Sequence, residues 1–598
     1  MKLLSKKNET HLNPSRSNGP EAPQPGPEQK LSCRQLIPPG HWLRPLSPIL
    51  DRCLGISAMQ RIYHQQGFSG LNSQAFCQKY IDYFRLSISG ANVTMYIPVS
   101  GPVLIVANHP LGGMEGVVLL NMLRKVRPDI KILANRALGL LEPLAPHFIY
   151  TNPLKTNDKG NQASVRACHT QLENGGALLI FPAGRVSYSV NARSPVTDHP
   201  WNKLVGSLGS RFNCPVVPVY ISGQNRRWFY RLGHIWKSMR MLMLIREMLA
   251  SKDRRIHLAV GQPVNRQVTR EPAHLTRLFR LLTYLQNPGC QTRWGDNNVV
   301  PMMPLAKPVS GRILADELME VPGNQKLLSY KNLAVYYLNY DQAPLIVEEI
   351  RRLRELQFRE YKEGSGKDKD GDQFDHSYTH LVLFDTDTLE VAGAYRMGRT
   401  DQLLEGGDIT QLYLSRMFDF GPGFVNRHQP CLEMGRSFLI GKHQRSFHGL
   451  LLLFKGIGAF LQQFKHYRTL YGTVSLSKIY TPLSVYLIQR FVVCEKDNVR
   501  ALKSFDYPVI PELEAYLKDY ARDIDVLDWL IKHIEPDGKG LPVLVRQYHQ
   551  LGARFHGLGM DPNFAGTPGL LLSVDVAKAP EKLLRLYLGN SYQAWLNY

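Results

Sequence analysis

The chain has 598 residues, 44% of them hydrophobic and 10% aromatic, which is too long for one ordinary core and too apolar for a disordered polymer. Its eight cysteines are scattered without paired spacing or neighbouring histidines, which excludes a disulfide framework and the usual zinc patterns, and no run of about eighteen uncharged apolar residues marks a spanning helix. The formal net charge of +22 calls for an acidic partner: nucleic acid, an anionic membrane or an acidic carrier protein.

Residues 1–45 are rich in Pro, Ser, Asn and Gln and poor in large apolar side chains, the composition of a disordered tail. No apolar segment follows Lys2, Lys6 and Lys7, so no signal peptide is expected, and with the cysteine usage this points to a reducing cytoplasm. From 46 to 290, strand-like and helix-like segments alternate, the rhythm of an α/β sheet. The first informative segment is VLIVANHPLGGMEG at 103–116. Residues 103–106 form a short apolar strand, Asn108 and Pro110 stop it, and Gly112 and Gly113 let backbone approach a substrate closely. His109 offers an imidazole that can take a proton from an attacking alcohol near neutral pH, and Glu115 a carboxylate that can hold the ring's tautomer. The alternative is a buried histidine at a glycine turn.

Asn135 and Arg136 follow a second strand at 130–134; ALLIFPAGRVS at 177–187 and PVVPVY at 215–220 come next. Residues 228–250, WFYRLGHIWKSMRMLMLIREMLA, interleave Arg231, Lys237, Arg240 and Arg246 with aromatic, Met and Leu residues at helical spacing. That pattern suits a helix lying in an anionic lipid interface, or an amphipathic core helix with a solvated basic face. Prolines and glycines between 288 and 311 mark a linker, set at 291–310, before a second domain at 311–598; a linker of this kind implies halves that fold independently.

The second domain opens with a helix at 343–361 that places Ile346, Ile350 and Leu353 on one face and Glu348, Arg352, Glu355 and Arg359 on the other. DKDGDQFD at 368–375 reads as a solvated loop, because its glycine is misplaced for a calcium loop and Thr379 stands where the bidentate Glu belongs. Strands are expected at 380–385, 391–397 and 431–440. LEMGRSFLI at 432–440 leads into GKHQRSFHG and then an apolar helix from 450 to about 464. A basic, glycine-flanked loop at a helix start can hold an anion such as pantetheine phosphate, with Lys442 and Arg445 adding charge.

The four blocks of the first half occur in the order seen in the lysophospholipid acyltransferase family, which this half resembles. The resemblance implies a glycerolipid-acyltransferase-like α/β domain with His109 and Glu115 as the catalytic pair. It also implies an FPEGTR-like acceptor site at Phe181, Pro182, Gly184 and Arg185, with Asn135 and Arg136 beside it. It departs in two places. The family leaves four residues between its histidine and an Asp, a spacing that falls on Met114, so the nearest acid is Glu115. Ala183 stands where the family has Glu, and Arg185-Val186 where it has Thr-Arg. Bidentate phosphate geometry is position-sensitive, so a shifted cation implies an acceptor without the glycerophosphate phosphate; the alternative is that Arg185 still reaches one.

Over about 311–590 the chain resembles ornithine N-acyltransferases, which share the GNAT-like α/β fold of acyl-homoserine-lactone synthases. The resemblance rests on an arginine-bearing first helix, the acidic loop 372–375, GAYR at 393–396, LEMGRS at 432–437, GTVSLSKIY at 472–480, and LPVLVRQYHQLGAR with DPNF within 541–564. It implies that Asp372, Asp375 and the catalytic Glu433 bind the amino substrate's cation or assist its deprotonation, with Arg396 and Arg436 as further substrate-binding residues. Arg436 has a simpler alternative, pairing with one of these carboxylates.

A chain with both halves resembles the bifunctional ornithine lipid synthases of bacteria. The C-terminal domain would transfer a 3-hydroxyacyl group from acyl carrier protein to the α-amine of ornithine, and the N-terminal domain would esterify the new hydroxyl. The partners implied are acyl carrier protein, ornithine, the lyso-aminolipid and the anionic inner face of the cytoplasmic membrane. No metal and no cofactor beyond the thioester donor is expected, since these attacks need a base, positioning and oxyanion stabilisation. Rival readings are a 1-acyl-glycerophosphate acyltransferase with a non-catalytic C-terminal interaction module, and a nucleic-acid-binding protein. The latter lacks any RNP, zinc-finger or basic-zipper pattern.

Overall fold

The computed structural model describes residue 32 and residues 44–90, 94–135, 138, 141–152, 159–189, 194–235, 239–295, 301–421, 423–444, 447–493 and 499–598. Most of the tail expected over 1–45, together with Arg136 and Arg445, lies outside them.

The first half is built on a sheet of seven strands: β1 (Ser87–Ser89), β2 (Val103–Ala107), β3 (Lys131–Asn135), β4 (Phe148–Thr151), β5 (Ala177–Ile180), β6 (Val216–Ile221) and β7 (Arg255–Val260), in the order β1-β7-β6-β2-β5-β3-β4. Neighbours run parallel except β6 and β7. Central β2 is buried at every residue, as a strand with no polar face must be when helices cover both sides. The parallel run places the carboxyl ends of β2, β3, β5 and β6 on one edge, where open α/β sheets bind ligands.

The second half is also α/β. Its strands are β8 (Lys326–Tyr330), β9 (Leu333–Leu338), β10 (Thr379–Asp385), β11 (Glu390–Arg399), β12 (Phe418–Phe420), β13 (Cys431–Leu439), β14 (Thr469–Ser475), β15 (Val499–Ala501), β16 (Arg554–Asp561) and β17 (Thr567–Asp575). Eight of them form one sheet in the order β16-β17-β14-β13-β11-β10-β9-β8, and β12 pairs with β15. Every neighbour in the large sheet is antiparallel except β13 and β14. The period of two along β10 divides the core. Leu381 and Leu383 face the helix Phe447–Gln463, whereas Val382 and Phe384 face the helix Pro344–Glu360.

Three sequence expectations need correction. The charged face expected on the helix Pro344–Glu360 is partly buried: Glu355 is buried and Glu348, Arg352 and Arg359 half-buried, while Arg351 and Arg354, on neither expected face, are buried as well. The run at 368–375 is no solvated loop, since Asp370 and Asp375 are buried against those arginines. And the linker does not separate independent folds. Helices Pro511–Asp519 and Ile524–Ile534 of the second half pack on the helix Pro272–Leu285 of the first, and one apolar cluster holds Leu104, Leu278 and Leu282 together with Leu513, Leu527 and Leu530. Polar contacts cross the same boundary: Trp529 Nε1 donates to the Arg266 carbonyl at 2.6 Å, and Arg277 pairs with Asp519 at 2.9 Å.

The basic stretch 228–250 forms two helices, Arg227–Ile235 and Met239–Leu249. Phe229, Tyr230 and Met243 pack with Leu54, Ile56 and Val186, so part of its apolar surface is spent inside the protein. No helix among the described residues is long and apolar enough to cross a membrane.

Candidate active sites

At the carboxyl end of β2 the chain turns sharply into the helix Gly113–Leu123. Gly112 sits at φ +100°, a backbone conformation that side-chain-bearing residues rarely adopt, and a Cβ there would lie 2.9 Å from Leu244. The turn brings Glu115, at the third helical position, back under the strand end. Its Oε1 lies 2.8 Å from His109 Nδ1 and accepts the backbone N–H groups of Leu111 and Gly112 at 3.0 and 2.9 Å. The extra residue of this spacing is absorbed by the turn and by the longer Glu side chain. With Nδ1–H donating to the buried carboxylate, Nε2 is left as the acceptor for a substrate proton. Burial alone would lower the His109 pKa; the charge and hydrogen bond of Glu115, with Asp198 beyond, outweigh it and leave the imidazole raised.

The second loop of this site follows β5. Phe181 stacks on the His109 ring at 4.7 Å between centroids, Pro182 is buried, and Gly184 turns the chain at φ +62°. Arg185 points to solvent with no hydrogen-bond or ion-pair partner among the described residues. Asn135 ends β3 on the same edge of the sheet. Above the turn lies the helix Met239–Leu249, with Leu244 and Met248 against Gly112 and Gly113.

Sequence reading missed Asp198. Its Oδ1 accepts the His109 backbone N–H at 3.1 Å and the Ser187 hydroxyl at 2.5 Å, and its Oδ2 accepts Trp201 Nε1 at 2.8 Å. Burial pushes its pKa up against these donors. Asp198 thereby ties the His109 turn to the loop after β5, and the second half braces it. Arg280 Nη2 donates to the Asp198 carbonyl at 3.2 Å and to Thr197 Oγ1 at 3.0 Å, and Thr197 Oγ1 donates to Glu512 at 2.8 Å.

The second site lies where β13 and β14 part. They pair only from Cys431–Thr469 to Met434–Gly472. Gly472 is required there, because a Cβ would sit 2.2 Å from the Met434 carbonyl. Beyond it β13 stays with β11 and β14 with β17, so a wedge opens whose facing backbone groups have lost their strand partner. A small cavity fills the wedge, lined by Gly435, Ser437, Tyr471, Thr473, Tyr395 and Tyr548 among others. Met434, Leu470 and Tyr548 also line a neighbouring chamber, otherwise walled by aliphatic and aromatic side chains such as Phe454, Ile457, Leu461, Leu584 and Leu588. At the neck the Tyr395 and Tyr548 hydroxyls stand 3.4 Å apart, with Ser437 bonded to Tyr395.

On the opposite face of β13 lies a buried charge network. Arg396 reaches Asp372 at 2.5 Å and Asp375 at 3.0 Å; Arg351 and Arg354 also hold Asp375, at 2.9 and 2.8 Å. Burial opposes the Asp375 charge, but Arg354 and Arg396 hold its carboxyl far below the usual range. With its oxygens taken by three arginines, Asp375 is a structural anchor and Asp372 the more accessible of the pair. Glu433 is buried as well; it accepts Tyr378 Oη at 2.9 Å, Tyr471 Oη at 2.8 Å and the Leu414 N–H at 3.3 Å. Burial raises its pKa despite those donors. Each of its oxygens already accepts a tyrosine hydroxyl. Arg436 lies on a bulge of β13 at φ +50°, donates to Tyr413 Oη at 2.9 Å, and keeps 3.8 and 3.9 Å from Asp370 and Asp372. Lys442 pairs with Glu390 at 2.8 Å and Asp385 at 3.6 Å at the surface.

Residues 54–279 match the family model described as acyltransferase, and residues 353–454 the one described as acetyltransferase (GNAT) domain. The chain is similar to a glycine N(alpha)-acyltransferase of Bacteroides thetaiotaomicron, 27% identical over 296 residues that cover 46% of this chain and 87% of the relative. It is also similar to a lyso-glycine lipid O-acyltransferase of Phocaeicola vulgatus, 26% identical over 249 residues that cover 38% of this chain and 86% of the relative. Among solved structures, the 1-acyl-sn-glycerophosphate acyltransferase PlsC of Thermotoga maritima is 15% identical, over 38% of this chain and 80% of that one, with a TM-score of 0.26.

Proposed function

We propose that this chain, an acyltransferase domain followed by a GNAT domain, makes an aminolipid by two successive acyl transfers. The GNAT domain forms an amide on an amino acid, and the first domain then esterifies a hydroxyl of that product. The observation that carries the reading is the wedge between β13 and β14, which leads through three hydroxyls into an apolar chamber. A thioester carbonyl in the wedge sends its hydrocarbon tail toward the apolar chamber, whose lining suits a hydrocarbon chain, and a 3-hydroxyl passes the neck where Tyr395, Ser437 and Tyr548 can bond it.

That hydroxyl is what the first domain needs. His109 Nε2 takes its proton as the oxygen attacks a second thioester; the C–O bond forms, the C–S bond breaks, and the proton leaves on the thiol. The activities of the relatives, on glycine and on a lyso-glycine lipid, support an amino acid and a lyso-lipid as acceptors here. Asp370 and Asp372 beside Arg436 support an acceptor with a second ammonium, ornithine rather than glycine. The donor is acyl carrier protein, whose acidic surface suits the +22 charge.

Expression in a bacterium without aminolipids tests this: mass spectrometry of its lipids should show a two-chain acylated amino acid with one amide and one ester. Purified protein given ornithine and glycine in competition, with carrier-protein or CoA thioesters, should favour ornithine and the carrier. A lipid extract unchanged from the empty-vector strain would sink the reading.

The exposed basic side chains Arg227 and Arg231, next to the helix that covers the His109 turn, suit an anionic bilayer from which lyso-lipid reaches the first site. Sedimentation with vesicles should therefore require anionic lipid and weaken as salt rises. Equal binding to neutral vesicles at every salt concentration would remove the electrostatic part.

A further inference from the structure

Glu363 lies just beyond the helix Pro344–Glu360, is 4% exposed, and took no part in the sequence argument. Its Oε1 has no hydrogen-bond partner. Its neighbours are the hydroxyl of Ser475, the last residue of β14, and the charge of Arg436 on β13. These two strands are the ones that part to form the wedge, and Gly435 and Ser437, on either side of Arg436, line it. Arg436 Nε is likewise buried without a hydrogen bond, the nearest carboxylate oxygens of Asp370 and Asp372 standing 3.8 and 3.9 Å from the guanidinium. A buried carboxylate oxygen and a buried guanidinium N–H, both unbonded and set against each other, are costly to leave open. Their charges complement one kind of molecule, an α-amino acid, whose ammonium and carboxylate lie one carbon apart.

The geometry points to Glu363 as the residue that receives the acceptor's ammonium and takes its proton, with Arg436 holding the carboxylate of the same molecule. This rests on the amide-forming reading above and assigns its base. Glu433 differs in having both oxygens held by tyrosine hydroxyls. In the step itself the ammonium gives one proton to Glu363. The free amine then attacks the thioester carbon, the C–N bond forms, the C–S bond breaks, and the nitrogen's second proton leaves on the thiol. Burial pushes the Glu363 carboxyl up to about 7, with Ser475 and Arg436 acting against the rise, which places the base form within reach at neutral pH.

The test follows amide formation against pH in the full-length chain with an amino acid and with its carboxamide as acceptors. Wild type should gain rate as pH rises through about 7 and then level off. Glu363→Gln should lose about 10²-fold or more at pH 7 and keep climbing with pH as free amine forms in solution. Glu363→Asp should recover part of the rate and the levelling. Arg436→Gln should raise KM for the amino acid and leave KM for the carboxamide unmoved. Esterification of supplied lyso-lipid by the same variants reports that they are folded. Amide formation by Glu363→Gln with the wild-type rate and profile overturns the assignment alone. A wild-type chain that forms no amide with any amino acid overturns the functional reading beneath it.

Discussion

A His109→Ala chain is expected to stop at the amide: ester formation should fall by about 10²–10⁴-fold, the range of a lost general base, while the GNAT domain continues. Cells making this variant should accumulate the single-chain acylated amino acid and lack the two-chain lipid. Because a base must be neutral, the ester-forming rate should also fall as pH drops through the raised His109 pKa. Glu115→Gln separates charge from orientation. The amide oxygen can still accept from the Leu111 and Gly112 N–H groups that Glu115 now holds, but the charge that raises the histidine is gone. The acid limb should therefore move to lower pH, and the plateau should drop because the imidazolium of the transition state has lost its counter-charge. Thin-layer chromatography and a rate profile on supplied lyso-lipid check both points. Wild-type amounts of two-chain lipid in the His109→Ala strain would remove His109 from the mechanism.

The first site was legible in the sequence because its parts are local. A buried strand, a histidine, two glycines and a Glu lie within one turn, and the block after β5 announces itself by its Pro and Gly. Asp198 was not, since the contact with His109 spans 89 residues and nothing around it in sequence differs from an ordinary polar loop. In the second half, strand positions followed from apolar runs, but the roles of charged residues did not. Periodicity set Glu355 opposite the apolar face and left Arg351 and Arg354 unplaced, because it cannot show where charges meet. The fold instead turns them toward the acidic segment 368–375, where the charges satisfy one another. Glu363 escaped for the same reason: a lone acid in a charged stretch looks solvated until the fold sets it beside Arg436 on β13 and Ser475 at the end of β14. Lys442, a basic residue in a helix-start loop, was expected to face an anion, and its pairs with Glu390 and Asp385 were not visible in the sequence.

The shared core leads to the other large effect. A fragment ending at residue 310 contains every group of the His109 site named from sequence, yet it should form ester poorly or not at all. Cutting there exposes the face of the helix Pro272–Leu285 on which Leu513, Leu527 and Leu530 close the cluster. At roughly 1.5–3 kcal/mol for each buried leucine, opening a few such contacts removes much of the roughly 5–15 kcal/mol that holds a domain folded. It also removes Glu512, the acceptor for Thr197 beside Asp198, and so loosens the brace behind the His109 turn and the loop after β5. Relatives matched over most of their own length align with less than half of this chain, so each activity can stand alone elsewhere. The dependence predicted here comes from this chain's interface and not from the chemistry. Expressed alone, residues 44–310 should aggregate or unfold at lower denaturant than the full chain, and co-expression with residues 311–598 should restore solubility and ester formation together. A monomeric, cooperatively folding 44–310 fragment that esterifies lyso-lipid within a few-fold of the full chain would show that the interface only docks two self-sufficient enzymes.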